Sequence, residues 1–254
     1  MKAILSWISG AFLALGLVSA AQAQAEITLL SPNPIKEVVD KLVADFETKT
    51  KLHVAVTYGT GVSTRKTVAE GGAKDVTLLF APFDDALNTG NVDKGSATVV
   101  ATLRLAIAVR KGAPKPDIST AAAVKATLLN AKSIISVDPA QGSVGGAVLL
   151  ALDKMGIANQ IAQKIKWVPG GGEVQTSVAK GESEIALGPY LSDMRNPGLD
   201  VVGALPPEAA TPVDITGFLS TTVKDRAPAR ALLDYFRSPE AAAVWQDAKA
   251  FPAR

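Results

Sequence analysis

Five times along this chain an apolar, strand-like run gives way to a helical pattern through a short loop of small, glycine or proline residues, and that grammar admits few architectures. The junctions are Ser31 to Pro34, Gly59 to Ser63, Phe80 to Pro82, Gln141 to Gly145 and Gly170 to Glu173. Glu26–Leu30 reads as a short apolar strand before the first of them. After it, Ile35, Val38, Val39, Leu42, Val43 and Phe46 recur on one helical face up to Lys49. Leu52–Tyr58 reads as a second strand, Thr64–Ala69 as a helix, Asp75–Phe80 as a third strand and Asp84–Leu87 as the next helix. A longer apolar strand over Ala101–Arg110 is broken by Lys111–Pro116, where the chain is expected to enter a second lobe. There the pattern repeats, with a strand over Ser133–Val137, a helix over Val144–Met155 closed by Gly156, helices over Asn159–Ile165 and Glu173–Lys180, and a strand over Glu184–Leu187. Thr216–Val223 reads as a strand returning to the first lobe, ahead of terminal helices over Ala227–Phe236 and Pro239–Ala248. Alternation of this kind predicts an α/β fold with a largely parallel sheet flanked by helices.

The amino-terminal stretch has a different character. A positive start at Met1-Lys2, an uncharged and mostly apolar run over Ala3–Val18 and the small residues of Ser19–Ala25 form the pattern of an export signal over residues 1–25, and cleavage fits after Ala23 or after Ala25. The run is short of the roughly 20 residues that a spanning helix needs. The product is expected in the periplasm, free of a lipid anchor because the chain has no cysteine to carry one. Disulfides are excluded on the same ground, so packing must supply the stability. About 230 residues remain, enough for two lobes of roughly 100 residues each.

Charge and residue usage exclude several functions. The chain has 26 Lys+Arg against 24 Asp+Glu, and loss of Lys2 with the signal leaves a net +1. The charges alternate, as in Lys36, Glu37, Lys41, Asp45, Glu47 and Lys49, so no basic patch for nucleic acid is expected. The single histidine, His53, lies in an alternating strand pattern and is expected at an edge or on the surface. No nucleophile motif or zinc-binding pair accompanies it, which argues against a hydrolase or a protein-coordinated metal. Aromatic residues are few, which disfavours a sugar-stacking cleft.

The five junctions are where binding chemistry is expected, because ligands of open α/β sheets sit outside the carboxyl ends of the strands. Helix amino ends that converge on one cleft present unpaired N–H groups and partial positive charge to an anion. Glycine lets backbone approach, and serine or threonine adds a hydroxyl. Each hydroxyl taken alone reads better as a helix cap, and it is their recurrence in both halves that points to binding.

Several segments together resemble the periplasmic solute-binding proteins of ABC importers, specifically the two-lobed molybdate-binding branch. They include Val39–Thr50, Val56–Gly59, Glu70–Val76, Leu105–Lys111, Val137–Ala140, Ala151–Gly156, Gly181–Ile185 and Asp234–Ala242. The resemblance spans essentially the mature chain and implies a type II periplasmic-binding fold, each lobe a mainly parallel sheet flanked by helices. Residues 26–103 with 211–254 would form one lobe and 104–210 the other. It further implies a non-enzymatic, monomeric protein without cofactor. Such a protein captures a small anionic solute, molybdate or tungstate, and delivers it to inner-membrane importer subunits.

Carried over by position, the resemblance points to Ser31, Asn33, Thr60, Gly61, Ser63 and Ala81 from the first lobe, and to Ser143, Val144, Val174 and Tyr190 from the second. Pro34, which has no N–H to donate, and Gly61-Val62 depart from the family pattern. So does Arg104, which would suit a carboxylate or phosphate if it faced the cleft. These departures keep a small organic carboxylate or another anion open as the ligand. An exported enzyme using the same cleft is the further alternative.

Overall fold

The computed structural model describes residues 26–191 and 196–252, so the export signal expected over residues 1–25 lies outside the described residues. The described residues build two sheets. The first draws on β1 (Glu26–Pro32), β2 (His53–Gly59), β3 (Val76–Phe80) and β4 (Val92–Leu103), interleaved with a 3-10 turn at Asn33–Ile35 and helices α1 (Lys36–Thr50), α2 (Gly61–Ala69) and α3 (Asp84–Leu87). The second follows as β5 (Leu105–Arg110), α4 (Ala121–Asn130), β6 (Ile134–Val137), α5 (Ser143–Lys154), α6 (Ala158–Ile161), β7 (Ile165–Val168), α7 (Gly171–Lys180), β8 (Ile185–Pro189) and β9 (Leu199–Ala204). The chain then returns to the first sheet with β10 (Val213–Ser220), α8 (Arg226–Tyr235), α9 (Pro239–Asp247) and β11 (Phe251–Pro252).

Strand order is β11-β4-β10-β3-β1-β2 in one sheet and β7-β6-β8-β5-β9 in the other. Among the described residues only β1 with β2 and β3, and β6 with β7 and β8, pair in parallel. The sheets are therefore mixed rather than mainly parallel. The strands next to the crossings between sheets, β4, β5, β9 and β10, all pair antiparallel with their neighbours.

The apolar run Ala101–Arg110 is not one strand. Leu103 pairs with Val213 in the first sheet and Leu105 with Pro189 in the second, so the chain changes sheet at Arg104. The entrance to the second unit thus precedes Lys111–Pro116, which merely follows β5. Hydropathy could not show the break because both halves are buried, in different sheets. The helix expected over Asn159–Ile165 stops at Ile161, and Ile165 already belongs to β7. Two further elements, α4 and β9, are not marked by periodicity. The α4 segment is apolar almost all round, and β9 is half-buried throughout most of its length.

Each sheet is sandwiched between helices. On one face of the first, Val39, Leu42 and Phe46 of α1 pack with Leu78, Phe80, Leu232, Phe236 and Trp245, all buried. Trp245 Nε1 donates to the Phe236 carbonyl at 3.0 Å, which satisfies both groups inside this core. On the opposite face Val68, Leu79, Ala86 and Phe218 cluster beneath α2 and α3. In the second sheet, α4, α5 and α6 cover one face and α7 the other. Full burial of each such side chain contributes about 1.5–3 kcal/mol.

A polar tie fixes α1 against β2. The Tyr58 hydroxyl donates to Asp40 Oδ1, and Lys36 Nζ lies 2.6 Å from Asp40 Oδ2 and 4.3 Å from the Tyr58 ring centroid. Burial alone would raise the Asp40 pKa, but the hydrogen bonds from Lys36 and Tyr58 outweigh it and hold the carboxyl below its ordinary value. Burial, reinforced by Asp40, pushes the Tyr58 phenol well above its ordinary range. No helix among the described residues is long and apolar enough to cross a membrane.

Candidate functional site

The carboxyl ends of the strands face each other across a cleft of about 270 Å³ between the two sheets. Asn33, Pro34, Thr60, Gly61 and Phe80 line it from the first unit. From the second come Gln141 to Val144, Pro169 to Gly172, Val174, Gln175 and Gly188. The polar side chains among these are Asn33, Thr60, Gln141, Ser143 and Gln175, and no Asp, Glu, His, Lys, Arg or Tyr of the described residues is among the lining.

Three helices aim their amino ends at this space, and their caps differ. Thr60 caps α2 with its own side chain, its Oγ1 accepting from the Ser63 N–H at 3.0 Å. Gly142 caps α5 and Gly170 caps α7, and neither has a side-chain oxygen to offer the first-turn N–H groups. The second unit therefore presents two helix ends whose donors and partial positive charge are left to whatever occupies the cleft. An anion could be held there by N–H groups and hydroxyls alone.

Glycines in the lining serve two purposes. At Gly61 a Cβ would come within 2.5 Å of Ser143 Oγ and 3.1 Å of Ser143 Cβ, so its absence permits close approach of the two units. Gly172 and Gly188 differ. A Cβ on either would meet nothing within 4 Å, and neither backbone has positive φ. The fold alone does not need glycine there, and a side chain would project into open space.

The structure brings together Asn33, Thr60, Gly61, Ser143, Val144 and Val174 of the residues expected from sequence. The remainder lie outside the lining. Ser31 is fully buried at the end of β1, its hydroxyl without a hydrogen-bond partner. Ser63 is exposed on α2 and its hydroxyl donates back to the Thr60 carbonyl at 3.2 Å. The Ala81 N–H is committed to the Asp214 carbonyl at 3.2 Å.

Arg104, instead of facing the cleft, sits with its guanidinium 4.8 Å from the Phe251 ring centroid, and its carbonyl accepts from the Tyr190 N–H at 2.7 Å. Tyr190 packs against the cluster containing Val174 and Val178. Glu173 is exposed and lies 3.4 Å from Lys166, which fits a first-turn dipole partner. His53 lies at the exposed start of the edge strand β2, with Nδ1 2.8 Å from Glu47 and Nε2 3.6 Å from Glu26.

One residue at the cleft wall escaped the sequence reading. Arg65 Nη1 donates to Ser143 Oγ at 2.5 Å across the interface, while its Nε lies 3.5 Å from Asp85 Oδ2. The available signal was its spacing. Gly61, Thr64, Arg65 and Val68 share one helical face, and Gly61, Thr64 and Val68 are buried. Gln175 carried no comparable signal beyond its place in the first turns of α7.

Residues 27–248 match the family described as bacterial extracellular solute-binding protein. The chain belongs to that family. It is 31% identical over 235 residues to an aconitate isomerase of Pseudomonas sp., covering 90% of this chain and 88% of that protein. Among solved structures it is similar to the periplasmic molybdate-binding protein of Azotobacter vinelandii. The TM-score is 0.69 at 15% identity, over 90% of this chain and all of that one (100%). It is also similar to PEB3 of Campylobacter jejuni with L-phospholactate bound, with a TM-score of 0.66 at 14% identity over 89% and 100% of the two chains. Likeness at these identities establishes the two-lobed binding-protein fold, and the solute has to be argued from the cleft.

Proposed function

We propose that this solute-binding protein works in the periplasm, captures a small di- or tricarboxylate in the inter-lobe cleft, and delivers it to an ABC importer. The observation that carries the ligand class is the size of the cleft together with its wall. A volume of about 270 Å³ lies near the lower end of the range for small-molecule sites. A tetrahedral oxyanion would leave most of that space empty, whereas a short-chain polycarboxylic acid would fill it. Two glycine-capped helix ends, the Ser143 hydroxyl and the amides of Asn33, Gln141 and Gln175 supply donors for carboxylate oxygens, and Phe80, Val144 and Val174 face the carbon chain.

A thermal-shift series on the chain from residue 26 tests this, with molybdate, tungstate, sulfate, phosphate, lactate, citrate, tricarballylate and both aconitate isomers. A ligand at a hundred times its Kd stabilises by about 2.7 kcal/mol, which raises the Tm of a protein of this size by roughly 5–10 °C. Shifts confined to the carboxylates are expected. A shift with molybdate or tungstate alone would return the site to oxyanions.

The relative named aconitate isomerase favours a second reading, in which the bound acid is turned over in the same cleft. Against it stands the absence of an ionisable group among the described lining residues, since moving an allylic proton needs a base. Chromatography of cis-aconitate incubated with the protein decides between them, because a binding protein returns its ligand unchanged.

A further inference from the structure

Arg65 is an ionic group that reaches the cleft wall through Ser143. Its side chain is 15% exposed, and it spans the two units, running from α2 on the first to Ser143 at the start of α5 on the second. Gly61, one turn earlier on the same helical face, lets the contact form, because any Cβ there would collide with Ser143. A hydroxyl has one proton and two lone pairs, whereas a guanidinium can only donate. Arg65 therefore takes one lone pair of Ser143 Oγ, and the serine proton must point elsewhere. Ser143 is itself buried and lines the cleft, and no other hydrogen bond of its hydroxyl is described. The cationic donor also polarises the hydroxyl it binds. Asp85, at 64% exposure, steadies the guanidinium from the solvent side and neutralises it only weakly through water.

We propose that Arg65 is a positioning residue and an inter-lobe latch, which fixes the Ser143 hydroxyl as a donor toward an anion in the cleft and so couples capture of the solute to closure. The first half rests on the anion-binding reading above; the latch does not. The contact exists only while α2 and α5 are apposed, so the hydroxyl is oriented for the ligand in the closed arrangement and released in the open one.

The test uses the chain from residue 26 with R65Q, R65K, S143A and the R65Q/S143A pair, each checked for folding by circular dichroism. Two readouts are taken: calorimetric titration with tricarballylate, and the radius of gyration by solution scattering without ligand. R65Q and S143A are each expected to weaken tricarballylate about tenfold or more. The double variant should be no weaker than the poorer single, because the two residues act as one unit. R65K should recover part of the loss, and both R65Q and S143A should expand the ligand-free protein.

Unchanged affinity in R65Q, or losses that multiply in the double variant, would overturn the positioning role. If the wild type binds none of the carboxylates or oxyanions, the anion reading fails on its own, and scattering alone judges the latch. Radii equal to the wild type in R65Q and S143A would then refute it. Should R65Q not fold, S143A carries both readouts.

Discussion

Replacing Gly172 by alanine separates what the fold needs from what the solute needs. The added methyl meets no protein atom within 4 Å, the backbone φ is ordinary, and the position lies in the first turn of α7. Without ligand, then, the change acts chiefly by restricting the unfolded chain and favouring helix, which stabilises by about 0.4–1 kcal/mol. For a protein of this size that is a Tm increase of roughly 1–4 °C. With ligand the balance reverses. The methyl takes up a share of a cleft of about 270 Å³, and forcing it against an occupant costs roughly 1–3 kcal/mol, which is about 5- to 150-fold in Kd. Scanning calorimetry of the ligand-free protein and titration with tricarballylate measure the two effects separately. A higher Tm with weaker binding is the expected pair. Undiminished binding would refute the reasoning that this glycine is kept free for a solute, and a Tm several degrees lower would refute the premise that the fold tolerates the methyl.

Gly61→Ala should act in the opposite way to Gly172→Ala. Its Cβ would lie 2.5 Å from Ser143 Oγ, so scattering should show a wider ligand-free molecule and titration a loss of binding, with helicity retained. Trp245→Phe should destabilise by about 1–3 kcal/mol in urea unfolding, because it strands the buried Phe236 carbonyl that Nε1 now satisfies. For Asp40 the sign follows from a folded pKa held below its ordinary 3.8. Its contribution is fully present above that value and disappears as pH falls through the folded pKa. The stability gap between wild type and Asp40→Asn, measured in urea, should therefore be full at pH 7 and shrink toward pH 3; a gap independent of pH would overturn the assignment.

Much of the first sheet was legible because its helices are amphipathic. The Val38, Val39, Leu42, Val43 and Phe46 face announced α1 and the surface it covers. The loops that form the cleft were legible through recurrence, since glycine and small polar residues, each an ordinary helix cap when taken singly, return at strand-to-helix junctions in both halves. What hydropathy cannot register is a change of partner. Leu103 and Leu105 look alike in sequence and belong to different sheets. Nor does it show where a side chain points. Arg104 would have suited an anion had it faced the cleft and turns to Phe251, while Arg65, which no motif singled out, turns to Ser143. Ser31 and Ala81 sit at the expected junctions, but one residue is fully buried and the other's N–H is taken by the Asp214 carbonyl.

The strand order has a consequence for how the molecule comes into being. Every strand of the second sheet comes from the unbroken stretch between Leu105 and Ala204, whereas the first sheet needs β10, from Val213–Ser220, inserted between β3 and β4. A chain that emerges amino end first can thus complete one wall of the cleft while the other still lacks an interior strand. Until Ser220 is available, β3 and β4 each present an open edge, the kind of surface that invites pairing with other chains. Truncation before Val213 should leave a half that folds and a half that aggregates. Competence to hold a solute therefore arrives late in synthesis, with the carboxyl-terminal segment that touches none of it.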